Sequence, residues 1–455
     1  MKVVVDGFNL ALEKGTGVAT YARNLTYSLR DAGCEVDVLY GGRMPPDKTP
    51  LMREIAFFDE NAGAKAGPRR SHFLMDAAFN HTPRHAYEVP LSGAVIYRQY
   101  QSRFPHYDRI WNSPYLFDKG NWYFRLHRRP MKVGRLENAD IAHWTYPLPV
   151  AMAETKNVYT LHDLVPLRLP FTTLDRKKQY LRLLKSIVAT SDHIVTVSET
   201  SRRDIIDILG APEHKITNTY QSVSIPQKYL SIPFDTLREE LIGNFQLEPK
   251  KYLLFYGSLE PKKNIGRTIE AYLASNLDMP LVIVGAQAWK ADQELKLLNN
   301  AHAARTSKHK IVQFDYVTFP QLVSLIRGAI AVTFPSLYEG FGLPILEGML
   351  CGTPVITSNL GAMKEIGGDA AIFVDPYDPR SIKEAMLGTV HNSELRNEKI
   401  ARGYAVAQRF SQEAYQKRLV EVYKRLSPQA KLKSIAKANA VPIANVGQRD
   451  PSFSV

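Results

Sequence analysis

The sequence predicts an α/β protein of two domains, each a parallel sheet with helices on its faces. Two observations predict it. Short β-branched runs alternate with amphipathic stretches of helical period, the pattern of β–α–β units. That alternation runs through twice, on either side of a proline-bounded stretch at 226–233. The length of 455 residues agrees, since a domain usually takes about 100–200 residues.

In the first series, strands are expected at 3–5, 35–39, 140–143, 158–161 and 193–197, and helices at 18–30, 177–190 and 201–209. Val3-Val4-Val5 is the kind of continuous apolar run that a strand buried on both faces needs. Leu181, Leu184 and Ile187 recur at helical spacing and give 177–190 a packing face. The second series places strands at 252–256, 281–284, 311–314, 329–334, 354–357 and 371–374. Helices are expected between them at 265–274, 295–305, 320–327 and 343–350. Pro320 and Pro344 fall in first turns, where a missing N–H costs nothing. The expected division is 1–235, 236–410, a helix at 411–426 that returns to the first domain, and a flexible tail at 427–455. Residues 41–135 break the pattern and read as an atypical insert, too long for a structureless loop.

Composition excludes several classes. Two cysteines are too few for a disulfide scaffold or a cysteine-ligated metal site. An apolar fraction of 45% excludes disorder over most of the chain. No apolar run approaches the ~20 residues of a membrane span, and the N-terminus does not read as a signal peptide. A cytoplasmic protein is expected, peripheral on the inner face of the membrane if it meets one. The net charge of +13 is uneven: 98–135 holds nine Lys or Arg against two Asp, more than half of the surplus. Ten aromatics lie in 97–124 beside these bases. Two readings of 98–135 stay open: a packed subdomain with a solvated basic rim, or a surface resting on anionic lipid headgroups. Nucleic acid is not expected, because no nucleic-acid module accompanies the patch.

The most informative stretch is Phe334-Pro335-Ser336-Leu337-Tyr338-Glu339-Gly340-Phe341-Gly342-Leu343-Pro344-Ile345-Leu346-Glu347. A strand runs into a glycine-punctuated loop and then a helix. The amides of Phe341, Gly342 and Leu343 point out of the helix N-terminus and suit an anion. Glu339 stands at the helix mouth and Glu347 one turn in.

This stretch resembles the signature of retaining glycosyltransferases of family 4, which have the GT-B fold. Tyr256-Gly257-Ser258-Leu259-Glu260-Pro261-Lys262-Lys263-Asn264 resembles the family's phosphate-binding loop. Thr160-Leu161-His162-Asp163 resembles its active-site histidine segment, and Gly15-Thr16-Gly17 its N-terminal glycine loop. The likeness covers about 1–40, 138–225 and 250–425. It implies two Rossmann-like domains facing across a cleft. It also implies a nucleotide-diphosphate sugar as donor, with a lipid-linked or polysaccharide glycan as acceptor. Lys262, Lys263, the Gly15–Gly17 amides and the helix mouth would hold the diphosphate, and Glu347 the ribose. Glu339 would contact the transferred sugar, and His162 would face the acceptor. Ser258 stands where the family often has Arg, with Lys262 as the expected compensation. No Asp-x-Asp triplet is present, so no metal and no cofactor is expected. Mannose is the preferred hexose by its frequency in the family. The alternatives are a silent nucleotide-sugar binder or scaffold on the same fold, or a sugar-nucleotide epimerase.

Other signals are bland. Gly15-x-Gly17 lacks the third glycine of a dinucleotide loop, since position 20 is Thr20. His127 and His143 have no partners at ligand spacing and read as structural. Asp163 reads first as a turn cap, and only second as a carboxylate opposite Glu339.

Overall fold

The computed structural model describes residues 1–11, 17–44, 47, 49–59, 70–96, 104–286 and 311–432. The strands are β1 (Lys2–Asp6), β2 (Glu35–Tyr40), β3 (Tyr87–Val89), β4 (Arg109–Asn112), β5 (Met131–Val133), β6 (Ile141–Trp144), β7 (Val150–Met152), β8 (Lys156–Thr160), β9 (His193–Thr196), β10 (Ile216–Asn218), β11 (Leu253–Tyr256), β12 (Leu281–Val284), β13 (Ile311–Phe314), β14 (Ala331–Phe334), β15 (Val355–Ser358) and β16 (Ile372–Val374). The first sheet has the order β10-β9-β8-β6-β1-β2-β4-β3 and the second β13-β12-β11-β14-β15-β16, with β5 and β7 forming a separate ribbon. Among the described residues, all pairs are parallel except the edge pair β3–β4. β1 and β11 are buried along their whole length, as strands covered by helices on both faces must be. In each sheet the order reverses beside the first strand, between β1 and β6 and between β11 and β14. Such switch points open a crevice at the strands' carboxyl ends.

Two expectations are corrected. The described residues of 41–135 do not stand apart from the strand–helix series. β4 pairs with β2 in register Leu39 to Trp111, β3 caps the edge, and helix Leu116–His127 packs beneath. Trp111 is buried and donates its indole N–H to Asp37 Oδ2 at 2.8 Å. Of the nine bases in 98–135, Arg109 is spent on Glu35, Asp37 and Glu137, and Arg98 and Arg103 lie outside the described residues. The second correction concerns 427–432, expected in a flexible tail. The Lys431 carbonyl accepts from the Met1 ammonium, and Ala430 and Leu432 pack on the core. The rest of that tail, 433–455, and the helix expected at 295–305 lie outside the described residues.

Helix Gln412–Leu426 lies on the first sheet's helices rather than on its own series. Gln416 donates to the Ser28 carbonyl at 3.1 Å, and Tyr415 donates to the Tyr21 hydroxyl at 3.2 Å. Tyr423 hydrogen-bonds with His143, whose other ring nitrogen meets Thr160 Oγ1 at 2.7 Å. His143 is therefore structural. Burial, with His162 nearby, pushes its imidazole down to about 3.

This fixes a pH dependence. The folded chain keeps His143 neutral, whereas the unfolded chain protonates it below its ordinary value of about 6.5. The stability it contributes is full above pH 6.5 and is lost as pH falls toward 3. Between pH 6.5 and 5 the loss is about 2 kcal/mol, at about 1.4 kcal/mol per pH unit. Urea denaturation at pH 7 and pH 5 should show this drop in wild type and a smaller one in His143→Gln.

Candidate active site

The loops after β11 and β14 meet at the second sheet's switch point. After β11, Gly257 takes φ +129° and a short turn, Pro261–Lys263, aims two lysines into the crevice. Asn264 follows in the left-handed region at φ +62°. Its buried side chain donates to the Pro335 and Pro376 carbonyls at 3.0 and 2.7 Å. The Leu337 N–H donates to the Lys262 carbonyl at 2.8 Å. The lysine turn is thus lashed to the loop that carries Glu339.

Glu339 is only 8% exposed. Its carboxylate lies 2.7 Å from Lys263 Nζ and 3.4 Å from Lys262 Nζ. Burial alone would raise its pKa, but the two lysines outweigh burial and hold the carboxyl below its usual range. Burial would lower Lys262, yet Glu339, Asp163 and Glu260 hold it above the ordinary lysine value. Glu339 and the two lysines thus form one paired cluster.

Gly342, at φ +103°, turns the chain into helix Leu343–Leu350. Phe341 is buried edge-on against Phe410 at 5.6 Å, so only its backbone faces the crevice. Glu347 Oε2 accepts from the Tyr256 hydroxyl at 2.8 Å, and burial raises its carboxyl. Helix Gly17–Asp31 begins opposite. A Cβ on Gly17 would stand 3.9 Å from Leu343 Cδ1. Two helix N-termini, one from each sheet, therefore meet across the crevice, and both favour negative charge. Gly15 and Thr16 lie outside the described residues.

His162 follows β8. Its Nε2 lies 3.0 Å from the Thr145 carbonyl, which can only accept, so Nε2 carries the hydrogen and Nδ1 the lone pair. Burial lowers its pKa and favours this neutral form. Its ring stands edge-on to Tyr21 at 4.7 Å. Asp163 Oδ1 accepts from the Val165 N–H at 3.0 Å, the role of a turn cap. Among the described residues, no group of three or more His, Cys, Asp or Glu is placed to hold a metal ion.

The model of Glycosyltransferase Family 4 matches residues 15–224, and that of Glycosyl transferases group 1 matches 238–406. The O-antigen chain mannosyltransferase B of Escherichia coli is 32% identical over 277 residues, 59% of this chain and 70% of that protein. The chain belongs to glycosyltransferase family 4. The O-antigen chain mannosyltransferase RfbU of Salmonella typhimurium is 28% identical over 265 residues, 58% of this chain and 68% of that one. The crystal structure of Anabaena HepE in complex with UDP superposes with a TM-score of 0.62 at 14% identity, covering 93% of this chain and 99% of that one. This family 4 glycosyltransferase has the GT-B architecture, two Rossmann-like α/β units with parallel sheets.

In this glycosyltransferase the fold brings Lys262, Lys263, Glu339, Gly342, Leu343 and Glu347 to one crevice, with Gly17 and His162 on its far side. Sequence reasoning missed the side chains that hold them. Ser201 donates to the His162 carbonyl at 2.8 Å and lies 3.4 Å from the Gly340 carbonyl, bridging the two sides. Glu365 of the second side accepts from the Glu199 and Thr200 N–H groups at 2.7 and 3.0 Å, capping a helix of the first. Tyr338 donates to Asp204, whose Oδ1 accepts from Arg168 Nε at 2.9 Å. Tyr256 could have been noticed, since it ends the strand before the lysine loop.

Proposed function

We propose that this glycosyltransferase moves mannose, with retention, from guanosine diphosphate mannose to a lipid-linked or polysaccharide acceptor without a metal or cofactor. The observation that carries the reading is the meeting of two helix N-termini beside the buried Lys262–Glu339–Lys263 cluster. Cleaving an anomeric bond builds charge on the leaving diphosphate. Preorganised amides and ammonium groups stabilise that charge with no reorganisation at the moment of reaction. Lys263 exchanges Glu339 for phosphate, which frees Glu339 for the hydroxyls of the transferred sugar. Glu347, presented by Tyr256, holds the ribose, and the helix N-terminus at Gly17 faces the diphosphate, with Gly15 and Thr16 proposed as further diphosphate ligands from the family likeness alone. His162 faces the acceptor. Asp163 is engaged as a cap, and a double displacement needs a second carboxylate about 5–5.5 Å from the first. We therefore favour a same-face reaction in which the leaving phosphate takes the acceptor proton. The mannose choice rests on the two mannosyltransferase relatives.

A thermal-shift screen of GDP, UDP and ADP tests the reading. A ligand at 100 Kd should stabilise by about 2.7 kcal/mol. GDP should give the largest shift, and guanosine diphosphate mannose should be slowly hydrolysed without acceptor. Binding without turnover of any nucleotide sugar would assign a silent binder instead, and interconversion of sugars an epimerase.

The described residues include no helix long and apolar enough to cross a membrane. A peripheral station on the inner face is proposed from one surface. Helices Arg70–Phe79 and Leu116–His127 are joined by His127 Nε2 on the Ala77 carbonyl at 2.8 Å. They expose Met75, Phe79 and Leu126 beside the exposed Arg125, Arg128 and Arg129. Each base near an anionic surface contributes about 1 kcal/mol. Replacing all three arginines with Gln should weaken binding to phosphatidylserine-containing vesicles about 100-fold or more. Unchanged vesicle binding and unchanged turnover of a lipid acceptor would leave the charge merely solvating.

A further inference from the structure

Three neighbouring strands, β8, β6 and β1, end at Thr160, Trp144 and Asp6. Two residues beyond each end stand His162, Tyr146 and Phe8. One buried carboxylate ties together the segments that carry Phe8 and Tyr146. Asp6 Oδ1 accepts from the Phe8 N–H at 3.1 Å, and Oδ2 accepts from the Thr145 N–H. The Thr145 carbonyl in turn receives the His162 Nε2 hydrogen. Phe8 and Tyr146 lie with their rings 19° from parallel and centroids 6.1 Å apart, and both remain half-buried. Phe117, from the aromatic segment that the family likeness did not cover, braces Phe8 edge-on at 5.1 Å. Gly41 leaves room for it, because a Cβ there would stand 2.5 Å from Phe117 Cδ2.

We propose that Phe8 and Tyr146 form the platform for the terminal hexopyranose of the acceptor glycan, a reading that rests on the transferase function above. A pyranose has an apolar face of C–H groups and an equatorial rim of hydroxyls. Two near-parallel half-buried aromatic rings match the face. Carboxylates match the rim, through charge-assisted hydrogen bonds. Asp175 and Asp163 stand near: after burial, they are what pushes the Tyr146 hydroxyl up to about 12. His162 stands at the same end of the sheet, its ring held on the Thr145 carbonyl next to Tyr146 in the chain. The platform selects a sugar acceptor over a simple alcohol.

The test uses the full chain with Phe8→Leu, Tyr146→Leu and the double variant, which keep apolar volume and remove the π faces. The acceptors are methyl α-mannoside and a mannose disaccharide. The double variant should raise the acceptor KM at least tenfold with kcat within threefold, the mark of lost uniform binding. The thermal shift with GDP should stay at its wild-type size. Should the double variant fail to fold, Tyr146→Leu alone carries the test with a threefold or greater rise. An acceptor KM within twofold of wild type, or a lost GDP shift, overturns the platform. A wild type that transfers to no acceptor overturns the transferase reading itself, and the platform with it.

Discussion

Lys263→Ala is expected to lower kcat/KM by about 100- to 1,000-fold, the cost of removing one preorganised donor from developing charge. The same change should destabilise the fold. Lys263 Nζ is 2.7 Å from Glu339, and that carboxylate is buried. Removing one partner of a buried pair costs about 3–5 kcal/mol because the other charge is left uncompensated. Lys262 stays at 3.4 Å, so the lower end of that range applies. Glu339 should also lose part of what holds its pKa down. Its stabilising contribution, full above the unfolded pKa and lost as pH falls through the folded one, should then shrink. The double variant Lys263→Ala with Glu339→Gln separates the two effects. Melting temperature should recover, because no buried charge is orphaned, while transfer should not. Transfer by Lys263→Ala within tenfold of wild type would remove Lys263 from the phosphate site.

Glu339, Glu347, Lys262 and Lys263 were legible because their chemistry is local. Glu339 and Glu347 lie in a strand–loop–helix whose pattern puts them at a helix mouth, and Lys262 and Lys263 were placed by the resemblance of their loop to the family's phosphate-binding loop. The side chains that join the two halves were not legible. Ser201 touches His162 and Gly340 across 39 and 139 residues of chain, and Tyr423 reaches His143 across 280. No periodicity records such contacts. The edge of the first sheet was missed for another reason. β4 is four residues long, and helix Leu116–His127 is bounded by Tyr115 and Arg128, both in the left-handed region at φ +56° and +57°. Neither end carries the Ser, Asp, Asn or Gly that marks a helix terminus in sequence. The surrounding packing pays for these two backbone positions, with Tyr123 and Phe124 buried beneath. The basic surplus was legible as a number but not residue by residue, since Arg109 pairs with Glu35, Asp37 and Glu137 while Arg125, Arg128 and Arg129 stay exposed.

Gly340→Ala is expected to abolish most transfer, about 100-fold or more, while leaving donor binding intact. Gly340 is needed for close approach, with no demand on its backbone conformation. A Cβ there would stand 2.6 Å from the His162 carbonyl oxygen and 3.0 Å from Asp163 Cβ. The first of these is backbone and cannot swing aside. The methyl must therefore push the loop after β14 away from the loop after β8, and these loops belong to different sheets. Ser201, which donates to the His162 carbonyl at 2.8 Å, would be drawn away from the Gly340 carbonyl 3.4 Å off. A misplacement of about 1 Å at reacting groups costs about 100-fold in rate. The lysine turn, Glu347 and the Leu343 helix mouth all sit on the second side, so a nucleoside diphosphate should still bind there. The GDP thermal shift of Gly340→Ala should accordingly approach that of wild type while transfer and acceptor-independent hydrolysis both fall. Ser201→Ala, which relaxes the same contact without forcing it apart, should lose less than tenfold. Wild-type transfer by a folded Gly340→Ala protein would mean that the two loops need not touch during the reaction, and His162 would then lose the position from which it meets the sugar.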